Sequence, residues 1–109
     1  MNSNLIYLHH FYVAGLQYYD ALHVWNQLSI GTELELKVEP ENKYDRHAVA
    51  LFLKEAKLGY LPRSENRHIS KILKAGWKPY EVRIQSIHNN RDMHERLEIC
   101  IRIKEFKKE

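Results

Sequence analysis

Three stretches concentrate the groups that could do chemistry. Gln17, Tyr18 and Tyr19 set two adjacent rings beside an amide, and Tyr60 stands just before Pro62 and Arg63. Between them, PENKYDRHAV (residues 40–49) places Asn42, Tyr44, Asp45, Arg46 and His47 directly ahead of an apolar run. Tyrosines with cations nearby are the components of a single-stranded nucleic-acid site, because bases stack on rings while Arg or Lys pairs with phosphates. The same tyrosines could equally be half-buried rim residues of a small core, and residue type alone leaves both readings open. Asn42 and Asp45 also suit a turn, where an Asp caps neighbouring backbone amides.

Other chemistries find less support. The chain has seven histidines but one cysteine, and structural zinc asks for four ligands drawn from closely spaced pairs. His88 and His94 lie six apart across an expected hairpin, and the adjacent His9 and His10 would point to opposite faces of a strand. We expect no metal and no cofactor. There is no Gly-rich phosphate loop and no nucleophile elbow. Asp45, Arg46 and His47 are consecutive, which is poor geometry for one acid–base site. The expectation is a non-catalytic protein.

Charge points the same way as the tyrosines. The net charge is +3, but residues 1–62 carry −2 and residues 63–109 carry +5. A basic half suggests a polyanion partner; a lysine-rich solvated surface is the plainer alternative. With 44% apolar and 28% charged residues, the composition is that of an ordinary folded domain. Cys100 has no second cysteine to pair with, no basic region opens the chain, and no apolar run approaches a membrane span. These features predict a cytoplasmic protein, nucleoid-associated if bacterial, with no membrane partner.

The elements that must position these residues can be read from periodicity. Residues 10–16 (HFYVAGL) read as a strand ending near Gly15. Asp20 reads as the N-cap of a short helix with Ala21, Leu22, Trp25 and Leu28 at helical spacing, stopped by Gly31. Residues 33–39 alternate strictly, 48–53 are nearly all apolar, and 57–62 form a short strand ended by Pro62. Ser64 reads as the N-cap of a second helix running to about Ala75, with Ile69, Ile72 and Leu73 as its core face. On that helix Arg63, Arg67, Lys71 and Lys74 would share one solvent-facing stripe. Tyr80, Val82 and Ile84 alternate, Asn89-Asn90 turn the chain, and Leu97, Ile99, Ile101 and Ile103 line a last strand before a frayed tail over 104–109. About six short strands and two short helices in 109 residues predict one mainly β domain, a compact small barrel whose closure removes exposed edges.

GLQYY (15–19), PENKYDRHAVALF (40–52) and LGYLPR (58–63), in this order and spacing, resemble the HIRAN domain over roughly residues 9–103. In eukaryotes that domain sits at the N-terminus of large fork-remodelling ATPases, and free-standing bacterial versions exist. The resemblance implies an OB-like barrel that holds single-stranded DNA at a free 3′ hydroxyl end, in DNA repair or replication-fork processing. It also implies an ATPase, helicase or nuclease acting in trans. Carried over by position, Tyr18 and Tyr19 would contact terminal bases, Tyr44 and Asp45 the terminal nucleotide with Asp45 facing the 3′ hydroxyl, and Tyr60 and Arg63 the same groove. Gln17 stands where the DNA-binding relatives have an arginine, and Tyr60 where they have a histidine. A protein-interaction module using the same groove, or the Trp25 and Trp77 surfaces, is the alternative; a metal-dependent nucleic-acid enzyme is a remote third.

Overall fold

The alternation over Glu33–Val38 produces a strand (β2) that buries Leu34 and Leu36 and leaves Glu33, Glu35 and Lys37 in solvent. In the computed structural model, which describes residues 5–77 and 80–104, five more strands join it. They are β1 (Leu5–Tyr12), β3 (Val49–Leu53), β4 (Ala56–Tyr60), β5 (Tyr80–Ile87) and β6 (Leu97–Lys104). All pairings are antiparallel, and the order is β1-β6-β5-β2-β3-β4. The fold is mainly β and OB-like, as expected. Of the tail expected over 104–109, Lys104 instead ends β6 in register with Leu5, and 105–109 lie outside the described residues.

The sheet curls until its two ends meet. Beyond β1 the chain leaves β6, to whose Leu97 carbonyl Val13 donates (2.8 Å). It then pairs with β4 through reciprocal Ala14 and Tyr60 backbone bonds of 2.8 and 2.9 Å. Val13, Leu16, Val49, Leu51, Leu58, Val82, Ile84, Leu97, Ile99 and Ile101 fill the interior. Each such side chain contributes about 1.5–3 kcal/mol on burial, against about 0.2–1 kcal/mol for a surface ion pair such as that of Arg83 with Glu33. Closure over the apolar interior therefore holds the fold, and surface charge is left free for other uses.

Three local expectations need correction. The first strand runs from Leu5 to Tyr12 rather than over 10–16, because Ala14 leaves the β6 ladder for Tyr60. The first helix is instead two 3-10 turns, Ala21–His23 and Trp25–Gln27. Asp20 stands at the N-cap position of the first, as expected, but its side chain makes no cap bond: its amide donates to the Lys57 carbonyl (2.8 Å) and its carboxylate accepts from the Lys57 amide (3.2 Å). The remaining helix, α1, spans Arg67–Lys74, later than Ser64. Residues 62–65 form a turn closed by the Glu65 amide on the Pro62 carbonyl, so Arg63 stands off the helix and only Arg67, Lys71 and Lys74 share the stripe. Ile69 and Leu73 of α1 pack on the core while Ile72 stays 37% exposed. Among the described residues no helix is long and apolar enough to cross a membrane.

Candidate nucleic-acid interface

The loop over 40–47 is polar because its side chains build it. Asn42 accepts at its side-chain oxygen from the amides of Tyr44 (2.9 Å) and Asp45 (3.1 Å), and its side-chain NH2 donates to Glu39 (3.0 Å). Asp45 repeats the device, accepting from the His47 amide at Oδ1 (2.9 Å). Two successive Asx turns of this kind leave the loop few alternatives, so Tyr44 and Asp45 are displayed in fixed directions. The other Asp45 oxygen accepts from the side-chain NH2 of Asn66 (2.7 Å). Asn66 is only 3% exposed, so this bond ties the loop to the start of α1. Arg63 donates to the Tyr44 carbonyl (2.8 Å) and holds its Nε 3.9 Å from Asp45.

Behind this loop lies a pocket of about 350 Å³, lined by Gly15, Tyr19, Tyr44, Asp45, Tyr60 and Arg63, with Ala14, Asn42, Ala48, Leu61 and Asn66 completing it. It sits at the seam where the sheet closes, since Ala14 and Tyr60 supply both the closing bonds and part of the wall. Gly15 takes a left-handed turn (φ +79°), and a Cβ there would stand 3.3 Å from the Tyr19 ring. The Tyr19 ring meets Tyr60 edge-on at 5.5 Å and 71°. Lys57 Nζ lies 4.8 Å from the Tyr19 ring and 4.4 Å from the Tyr60 ring, and it also donates to Glu39 (2.9 Å) and to the Tyr60 hydroxyl. Tyr60 in turn donates to Glu39 (2.7 Å). Tyr60 is thereby held from both sides, and Tyr19 is propped against it.

Electrostatics separates the two carboxylates of this region. Burial pushes the Asp45 carboxyl up, but the Asn66 side chain, the His47 amide and the Arg63 charge outweigh it and hold it below its ordinary value. Burial likewise pushes Glu39 up, and bonds from Tyr60, Lys57 and Asn42 more than offset it. Both are ionised at neutral pH. Glu39 spends its charge on Lys57 and Tyr60, behind the wall. Asp45 faces the pocket, and a carboxylate has about four lone-pair sites, of which His47 and Asn66 occupy two.

Five of the ten residues expected from the sequence thus line one pocket: Tyr19, Tyr44, Asp45, Tyr60 and Arg63. Gln17 and Tyr18 do not; they lie in a 3-10 turn (Leu16–Tyr18) with Tyr18 75% exposed beside the rim. Arg67, Lys71 and Lys74 stand on α1, outside the lining, where Lys74 donates to the Arg46 carbonyl (3.1 Å). Asn66 is the residue that sequence reasoning passed over. An asparagine just ahead of a helix reads as a cap, yet its side chain makes no cap bond and holds Asp45 instead. Trp25 donates to Asn89 (2.9 Å), which ties one of the two tryptophans to its own chain. Trp77 borders a small apolar recess with Leu8, Ile72 and Tyr80. Among the described residues, no three His, Cys, Asp or Glu side chains gather so as to hold a metal ion.

Similar folds occur among solved structures. A crystallised protein from Lactobacillus plantarum is 24% identical, with a TM-score of 0.78 over 96% of this chain and 100% of its own. The HIRAN domain of human HLTF is 17% identical, with a TM-score of 0.67 over 94% of this chain and 78% of its own. No curated protein sequence gives a significant match. Residues 6–104, nearly the whole chain, match the sequence profile of the HIRAN domain. The chain belongs to the HIRAN domain family, known as a nucleic-acid-binding module.

Proposed function

We propose that this protein is a non-catalytic module that holds single-stranded DNA at a free 3′ hydroxyl end. The observation that carries the reading is Asp45: an ionised carboxylate, 18% exposed, with acceptor capacity left over, on the wall of a tyrosine-lined pocket. An ionised carboxylate only accepts hydrogen bonds, and a 3′ hydroxyl is a donor. A 3′ phosphate in the same place would set two anions together in a partly dry site. Tyr44, 83% exposed at the mouth, walls the sugar, Tyr19 supports a base, and Arg63 meets the phosphate that follows. The proposed setting is DNA repair or replication-fork processing beside an ATPase, helicase or nuclease acting in trans.

Anisotropy titrations of 5′-labelled oligonucleotides test the reading. The expected order of affinity is 3′ hydroxyl end, then a circular strand with no end, then 3′ phosphate. Equal binding of hydroxyl and phosphate ends by the folded protein would sink it.

A second expectation isolates stacking. Tyr19→Ala should weaken strand binding about 5- to 150-fold, the range for loss of one base–ring stack of about 1–3 kcal/mol. Tyr19→Phe should stay within about twofold, because the Tyr19 contacts with Tyr60 and Lys57 are made by its ring. Full affinity in a folded Ala variant removes Tyr19 from the site.

A further inference from the structure

The 40–47 loop has a second side. Tyr44 and Asp45 line the pocket, whereas Arg46 and His47 are not part of its lining. Lys74 of α1 reaches this loop through the Arg46 carbonyl (3.1 Å), and the charges that bear on the His47 ring are Arg46, Arg67, Lys74 and Asp45. Three cations thus converge on one imidazole. Asp45, the single anion among them, is already bonded to the His47 amide and to Asn66 and lies 3.9 Å from Arg63. Arg46, Arg67 and Lys74 are all exposed, none of the ion pairs among the described residues involves them, and the buried Nδ1 of His47 has no hydrogen-bond partner. Like charges held together without a counter-ion repel one another, so the cluster is an arrangement that an anion would relieve.

We propose that Arg46, Arg67 and Lys74, gathered around His47, form a second anion site that takes a backbone phosphodiester of the strand whose 3′ end occupies the pocket. This rests on the end-binding reading above. Two features argue for a phosphodiester of that strand. Arg63 and Lys74 donate to the carbonyls of Tyr44 and Arg46, two residues apart on the same loop, so the cations continue from the pocket mouth to α1, and the intervening Glu65 has its side chain turned to His9. Arg46, His47, Arg67 and Lys74 also line neither the tyrosine pocket nor the apolar recess beside Trp77, so what they offer the strand is charge for its backbone.

The site makes a prediction that a solvated helix face does not. Burial first, and then the charges of Arg46, Arg67 and Lys74, hold the proton off His47; a phosphate seated among the cations would cancel their part of this, so the imidazole should titrate at higher pH in the complex. The experiment compares 3′-hydroxyl strands of three and of ten nucleotides. The wild-type protein should bind the ten-mer about tenfold more tightly, since exposed phosphate–cation pairs are each worth up to about 1 kcal/mol. In Arg67→Ala/Lys74→Ala that length preference should vanish, and the salt slope for the ten-mer should fall by roughly 1.4, about 0.7 per lost cation. NMR of the His47 ring in the wild-type protein supplies an independent reading. Its titration midpoint should rise on adding the ten-mer and stay in place with the three-mer. A variant that keeps the length preference, or a midpoint unmoved by the ten-mer, overturns the second site while 3′-end binding of the three-mer leaves the pocket reading standing. Failure of the wild-type protein to bind either strand overturns both.

Discussion

Gly59→Ala should cost about 3 kcal/mol of stability, at the upper end of what overpacking a tight site costs. A Cβ on Gly59 would stand 2.4 Å from the Ala14 carbonyl oxygen and 2.8 Å from Val13 Cγ1. The first of these is backbone and cannot rotate away. It belongs to the residue that accepts from the Tyr60 amide at 2.9 Å, at the bridge joining the chain just beyond β1 to β4. The added methyl must therefore push apart the two chain ends whose pairing closes the sheet. Because Ala14, Gly15 and Tyr60 also line the pocket, the variant should lose strand affinity along with stability. A urea titration checks the first effect: a midpoint within error of the wild type would mean that closure does not depend on this contact. Leu58→Val, in the same strand and also fully buried, provides the comparison, because it loses packing without pressing on the seam.

That seam marks how far the sequence could be read. β2, β3 and β6 were legible because each has a pattern tied to burial: alternation at Leu34 and Leu36, a continuous apolar run at 49–51, and the Leu97, Ile99, Ile101 series. The start of β1 was not, since Leu5 to Leu8 show no alternation, and Ile6, Tyr7 and Leu8 all remain exposed. Closure through Ala14 and Tyr60 depends on two residues 46 positions apart, and no local period encodes it. The turns at 21–27 mimicked a helix because a 3-10 turn and an α-helix place apolar residues at similar short spacings. The pocket was partly legible for a related reason. Asn42, Tyr44 and Asp45 advertise themselves as polar groups crowded at one corner. Asn66 resembled any helix cap, and its bond to Asp45 spans 21 residues. The stripe on α1 was drawn one residue too long, because Ser64 offered an equally good cap in the sequence and Arg63 was counted on the helix.

Asp45→Asn should all but abolish the preference for a 3′ hydroxyl over a 3′ phosphate while leaving the protein folded. Three donors face this carboxylate: the His47 amide at 2.9 Å, the Asn66 side chain at 2.7 Å and the Arg63 guanidinium at 3.9 Å. An asparagine there keeps one accepting oxygen for the His47 amide and turns an NH2 toward Asn66. The Asn66 amide can rotate to present its own oxygen, so the buried bond is remade as a neutral one. The loss is then the difference between a charge-assisted and a neutral bond, about 1 kcal/mol of stability. At the pocket the consequence is larger. The hydroxyl end gives up an ionised acceptor, worth about 1.5–3 kcal/mol or roughly 10- to 150-fold in affinity. The phosphate end is freed from an anion and left with Arg63, so its affinity should rise. The two changes move in opposite directions, which is the signature of one residue serving both attraction and rejection. If Asp45 only holds the loop to α1, the variant will melt lower with its hydroxyl-to-phosphate affinity ratio unchanged. Measuring that ratio at fixed salt, beside a thermal melt of the same sample, separates the two roles. The ordinary acid range gives a further check. The donors around Asp45 hold its carboxyl below the usual aspartate value. The wild-type end preference should therefore persist as pH falls through the usual aspartate range and fade only below it, as the carboxylate takes up its proton.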